Sequence, residues 1–198
     1  MRRQLLTGLR MTACLTVLCG LLYPLAVFAA SQVAFKDRAD GSFVADASGH
    51  VVGSSLLGQR FVGADGHPDP RYFQPRPSAA GADGYDAQTS GGSNLGPSNP
   101  KLLDAVRQRA VDYRELNGIP ADTLVPIDAV TASASGLDPH ISVANADLQS
   151  ARVAGARGLP VDTVRALIAA HTEGRAWGFL GEKVVNVLEL NLDLDRQA

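Results

Sequence analysis

MTACLTVLCGLLYPLAVFAA, residues 11–30, carries no charged side chain anywhere along its length. A helix of this run would be roughly 30 Å long, the thickness of a bilayer's hydrocarbon core. Gly20 and Pro24 weaken a helix in water but are tolerated inside a membrane. A cleaved signal peptide is the competing reading, with Arg2 and Arg3 as its basic start and Val27-Phe28-Ala29 as its cleavage site. Signal h-regions run only about 7–15 residues, so length favours an uncleaved anchor. In both readings Arg2, Arg3 and Arg10 precede the span. The positive-inside rule then keeps residues 1–10 in the cytoplasm and places 31–198 outside it.

Outward from this run the chain is ordinary and globular, with 45% hydrophobic residues and a formal net charge of −2 over 198 residues. No basic stripe marks a nucleic-acid surface. Both cysteines, Cys14 and Cys19, fall inside the apolar run. On one helix they point about 140° apart, so they cannot pair with each other. The rest of the chain must therefore rely on its core for stability.

Short strands are expected at Gly41-Ser42-Phe43-Val44-Ala45-Asp46 and, after a Ser48-Gly49 turn, at Val51-Val52 and Leu56-Leu57. Residues 63–99 are rich in Gly, Pro, Asp and Ser and lack periodicity, which marks a long functional or disordered loop. Within it Tyr72, Phe73 and Arg76 point to a loop that docks onto something, since plain linkers rarely carry paired aromatics. A helix follows Pro100, capped by Ser98 or Asn99 and ended at Gly118. A second is capped by Ser142 and closed by Gly158, and a third follows Pro160 and stops at Gly174. From Val184 to Asp195 apolar and polar residues alternate, which predicts a half-buried strand. The sum is an α+β soluble domain on a single N-terminal transmembrane helix.

Two segments invite a chemical reading. Gly91-Gly92-Ser93-Asn94-Leu95-Gly96-Pro97-Ser98, within SGGSNLGPSNPK, follows a phosphate-binding loop except that Pro97 stands where the lysine is required. Proline brings no charge and removes a backbone donor, so loop-plus-cap is the better reading, with the glycines allowing a close approach. In TASASGLDPHIS, residues 131–142, Ser133, Ser135, Asp138 and His140 are the residue types of a hydrolytic triad. They are crowded into eight positions without a G-x-S-x-G elbow, so a turn at Asp138-Pro139 explains them better. The four histidines are scattered without metal-ligand spacing. Gln149 and Arg152 share one helix face, and Arg157 lies further along that helix, a solvated or salt-bridged surface or one that meets a partner or an anion.

The stretches VVGSSLLGQRF, YFQPRPSA, SGGSNLGPSNP, VPIDAVTASASGLDPHIS, LQSARVAGARGL and GFLGEKVVNVLELNLDLD occur in order and cover nearly the whole chain. Together they resemble the C-subunit family of Kdp potassium-transporting ATPases. Val143, Pro75, Trp177 and Lys183-Val184 depart from the family's commoner residues. The resemblance implies a single-pass subunit of a bacterial inner-membrane complex. Its partners would be a channel-like potassium-binding A subunit, a P-type ATPase B subunit that hydrolyses ATP, and a small F subunit. It also implies a catalytic chaperone that raises the ATPase subunit's affinity for ATP. No firmly bound cofactor is implied, only ATP in a transient complex, with Gln149 and Arg152 as nucleotide contacts. That assignment conflicts with a domain on the ATP-poor side. Tyr72, Phe73, Arg76, Ser90, Gly91, Gly92, Ser93, Asn94, Asp138 and His140 are the expected partner or loop contacts. An exported, membrane-anchored serine hydrolase and a cleaved periplasmic binding module are the rival readings.

Overall fold

The computed structural model describes residues 1–197 and contains two compact units, Met1–Phe43 and Val44–Ala198. The first is dominated by one continuous helix, Arg2–Ala34, with none of its most apolar window buried. It comprises α1 (Arg2–Val17), a π-helical turn (Leu18–Leu22) and α2 (Tyr23–Ala34). The wide turn sits where Pro24 would otherwise press on the carbonyl of Gly20, four residues back, so it relieves a predictable clash. A short α3 (Lys36–Ala39) follows, tied by Lys36 to Asp40 at 2.8 Å.

Next along the chain is a two-stranded sheet, β1 (Phe43–Ala45) and β2 (Val51–Ser54). Leu56-Leu57 does not extend it: the chain turns there, with Leu57 N–H donating to the Ser54 carbonyl at 3.1 Å. From residue 55 to 99 the described residues contain no helix or strand beyond one isolated bridge, Val62 to Pro68. Order there comes from Asp65, Asp69 and Asp86, each accepting the backbone N–H two residues on, at 3.0, 2.9 and 2.9 Å.

Helix α4 (Pro100–Asn117) starts as its caps dictate: Asn99 accepts the Lys101 N–H, and Gly118 closes the helix at φ +62°. After α5 (Ile127–Val130) come β3 (His140–Ser142) and α6 (Val143–Arg157), capped by Ser142 and closed by Gly158 at φ +66°. Helix α7 (Val161–Ala170) ends four residues short of Gly174. It stops because Thr172-Glu173 form β4, paired with Val185 and Val184.

The expected C-terminal strand is mostly a helix. Only Val184–Asn186 are extended, as β5, the centre of an antiparallel β3-β5-β4 sheet. Then α8 (Val187–Arg196) begins with the Asn186 side chain accepting the Glu189 N–H. The alternating leucines also fit a period of 3.6: Val187, Leu190, Asn191 and Leu194 face inward and are at most 2% exposed. The cap decides between the two periods, because it satisfies a helix start and has no use in a strand. Around the small sheet, α6, α7 and α8 close a core of Ile141, Val153, Val164, Ile168, Val185, Leu190 and Leu194. Phe73, from the irregular loop, is part of that core.

Candidate functional site

The feature that organises the domain is a strap, residues 70–78, held by side chains instead of by a strand partner. Helix α8 places Asn191 against Phe73, with Oδ1 accepting its N–H at 2.9 Å and Nδ2 donating to its carbonyl at 3.0 Å. Helix α6 places Gln149 against the next residue, Gln74, with Oε1 accepting at 2.7 Å and Nε2 donating at 3.1 Å. Two side-chain amides thus give two successive residues the bonds of a sheet ladder. Both amides are 1% exposed, and Phe73 is fully buried between the elements that carry them.

One turn along α6, Arg152 completes the clamp. Its guanidinium donates to the carbonyls of Pro70 at 2.6 Å and Tyr72 at 3.0 Å, to Asn117 at 2.9 Å and to Gln149 at 2.8 Å. Burial pulls its pKa down to about 10. Behind it Asn145 accepts from Gln149 Nε2 at 2.9 Å and from the Tyr113 hydroxyl at 2.8 Å. Burial pushes the Tyr113 hydroxyl's pKa up, so it stays a neutral donor. Arg157 donates to the Arg71 carbonyl at 2.6 Å, pairs with Asp195 at 2.7 Å and lies 4.7 Å over the Tyr72 ring. Tyr72 in turn stacks on Phe61 at 5.4 Å. The aromatic pair expected to meet a partner docks on its own domain: Phe73 offers no surface, and Tyr72 is half-buried. Gln149 and Arg152 likewise spend their hydrogen-bonding groups on the strap.

At the strap's far end Arg76 pairs with Asp138 at 2.9 Å, and Tyr85 donates its hydroxyl to the Arg76 carbonyl at 2.7 Å. His140 Nδ1 lies 3.4 Å from Asp138 and its Nε2 lies 3.7 Å from Glu173. Contact with Asp138, then the charge of Glu173, raises the His140 pKa. Burial works to raise the Asp138 pKa, but bonds from His140 and Arg76 together hold it below the usual carboxylate range. The serines take no part in this pairing. Ser133 is buried, and Ser135 Oγ accepts the Leu137 N–H at 3.1 Å. Among the described residues no hydrogen bond joins either hydroxyl to His140, so the triad residue types do not assemble.

The glycine-rich loop and the TASASG segment pack directly on each other. Gly91 N–H and Ser90 Oγ both donate to the Ser135 carbonyl, at 2.8 and 3.0 Å. A Cβ on Gly92 would stand 3.0 Å from the Ala134 carbonyl oxygen. One on Gly136, at φ +67°, would stand 2.7 Å from both the Ala80 methyl and the Gly91 oxygen. These glycines therefore serve close backbone approach, and Asn94 makes the turn beyond them at φ +52°. Between strap and α4 runs an open groove of about 720 Å³, lined by Arg60, Arg76, Tyr85, Arg109, Asp112 and Glu115.

Sequence reasoning named Gln149 and Arg152 but missed Asn191, Asn145 and Asp128, which accepts from the Ser142 N–H and Asn145 at 2.7 and 3.0 Å. Only Asn145 had a local signal: Asn145, Gln149 and Arg152 fall at i, i+4 and i+7 on one face of α6.

The chain matches the family of the K+-transporting ATPase c chain, KdpC, over residues 5–196. It belongs to that family. A potassium-transporting ATPase KdpC subunit of Mycobacterium bovis (strain BCG / Pasteur 1173P2) is 56% identical over 196 residues, covering 99% of this chain and 100% of the relative. The subunit of Koribacter versatilis is 53% identical over 196 residues, with 98% and 95% covered. That of Kineococcus radiotolerans is 54% identical over 192 residues, with 97% and 93% covered. In this member an N-terminal helix long and apolar enough to cross a membrane is followed by the strapped α+β domain.

Proposed function

We propose that the chain is a non-catalytic accessory subunit of an ATP-driven potassium import complex of the bacterial inner membrane. Arg2, Arg3 and Arg10 keep its N-terminus cytoplasmic, and the strapped domain lies on the outer face against the channel-like A subunit. ATP hydrolysis belongs to the P-type B subunit, and the small F subunit completes the assembly. The observation that carries the reading is the saturation of Gln149 and Arg152 by the strap. A nucleotide would have to displace the part-buried amide bonds of Gln149 and the charge-assisted bonds of Arg152 to reach them. Any effect of this subunit on ATP affinity is then transmitted through the assembled complex, as a catalytic chaperone acting at a distance, without bound ATP in this domain.

Two measurements test it. With Ser93→Cys in a background lacking Cys14 and Cys19, a maleimide that cannot cross the membrane should label intact cells; labelling only after permeabilisation reverses the orientation. In the purified complex, removing residues 44–198 should weaken assembly, potassium affinity or coupling of hydrolysis. Unchanged values for all three would sink the proposal. A photoreactive ATP analogue should modify the B subunit and leave the peptide containing Gln149 unmodified.

A further inference from the structure

One element of the domain is absorbed by neither core nor strap. Between β4 and β5 the chain projects as a tip in which every residue from Glu173 to Lys183 is exposed. Its apolar side chains are large: Trp177 is 85% exposed, Phe179 67% and Leu180 47%. The tip is nonetheless built. Ala176 and Leu180 exchange backbone bonds at 2.9 and 3.0 Å, and Arg175 pairs with Glu182 at 2.9 Å across the base. Gly178 and Gly181 turn at φ +83° and +80°. Trp177 itself sits at φ +52°, a conformation a bulky residue adopts at a cost. The braced hairpin thus holds a tryptophan ring out in water.

We infer that Trp177, Phe179 and Leu180 form an interfacial anchor that seats this domain in the headgroup region of the bilayer its own N-terminal helix spans. The occupant follows from the covalent structure. Only residues 35–43 separate the apolar helix from the domain, so the domain is confined to the membrane surface on whichever side it lies. Tryptophan is the side chain that concentrates at membrane interfaces, with an apolar body and one polar N–H. At the base of the tip Arg175 and Lys183 balance Glu173 and Glu182, so it carries no net charge to repel anionic lipid. Leu124 and Ile127, more exposed still at 89% and 77%, include no aromatic and are flanked by Asp122 and Asp128 without a basic residue between 119 and 130, a poorer match to a phosphate-rich surface. The inference requires that the apolar run 11–30 of the helix Arg2–Ala34 spans a bilayer, and goes beyond the accessory role proposed above.

Trp177 is the chain's single tryptophan, so its fluorescence reports this tip alone. The full-length chain is reconstituted in vesicles of phosphatidylcholine and phosphatidylglycerol, with and without brominated acyl chains. The expected result is emission at shorter wavelength than a water-exposed indole gives, with intensity lost to the brominated lipid. In Phe179→Asp/Leu180→Ser, which leaves core and strap untouched, both effects should disappear while far-UV circular dichroism is unchanged. Emission at the water-exposed wavelength, unquenched, overturns the inference. So does a blue shift without quenching, which would place the ring on protein, either a second copy or, in the assembled complex, another subunit.

Discussion

The strap and the tip are both irregular, both rich in glycine or proline, and both carry two adjacent or near-adjacent aromatic or large apolar residues. They differ in who satisfies their backbone. The tip closes its own bonds between Ala176 and Leu180 and leaves Trp177 outside. The strap closes almost none of its own; Asn191, Gln149, Arg152 and Arg157 close them from helices, and Phe73 goes fully inside. A self-sufficient loop can afford to face outward. A loop whose polar groups are answered by distant side chains is committed to the core, because releasing it would strand buried amides on both sides.

The contrast breaks first, if it breaks, at Phe73. Phe73→Ala removes a fully buried ring from the core and is expected to cost about 3–5 kcal/mol in chemical denaturation of the full-length chain. A loss below about 1 kcal/mol would mean that the strap is not part of the cooperative core. Next comes Gly136→Ala, where a methyl would meet the Ala80 methyl and the Gly91 oxygen at 2.7 Å on a left-handed backbone. Overpacking and backbone strain together put the cost at roughly 2–4 kcal/mol. Gly96→Ala, with nothing within 4 Å, is the matched control and should lie within about 0.5 kcal/mol of the parent.

The clamp itself is sharpened by Gln149→Glu. The change keeps the shape but puts an oxygen where Nε2 now donates to the Gln74 carbonyl and to Asn145. About 1–3 kcal/mol should be lost at neutral pH, with part recovered at low pH as the new carboxyl takes a proton and donates again. If Gln149 served a nucleotide and not the strap, denaturation midpoints would stay put and only the complex's ATP dependence would move.

These residues also show what the sequence can carry. Helices α4 and α6 were legible because their signals are local: Asn99, Pro100 and Gly118 for one, Ser142 and Gly158 for the other. The long apolar helix was legible because twenty uncharged residues form an unbroken run. Helix α8 was misread because Leu188, Leu190, Leu192 and Leu194 fit two periods, and the deciding cap, Asn186 with Glu189, went unweighed. The strap was out of reach for a different reason. Its partners lie 75 and 118 residues away, and no local pattern says that an asparagine on a helix will bond a loop backbone. Gln149 and Arg152 were therefore found as residues and misplaced as surface, since on α6 alone they look like a polar face.

The smallest effect is the pH response of the Asp138–His140 pair at the strap's end. His140 has a folded-state pKa raised above 6.5, so its contribution to stability is complete below that value and fades as pH rises through the folded-state pKa. Asp138 has a folded-state pKa below 3.8, so its contribution is present above that value and fades as pH falls through the lower one. Between the two ordinary values both contributions are present, and the pair holds Arg76 and the strap most firmly there. His140→Gln should flatten the alkaline side of a plot of urea midpoint against pH and shrink the acid side without abolishing it, because Asp138 loses the His140 ring but keeps Arg76 and the backbone N–H of residue 140. Trp177→Ala, on the exposed tip, should reproduce the parent curve at every pH. A tip variant that altered the curve would show the two loops to be coupled, and the separation between committed strap and free tip would fail.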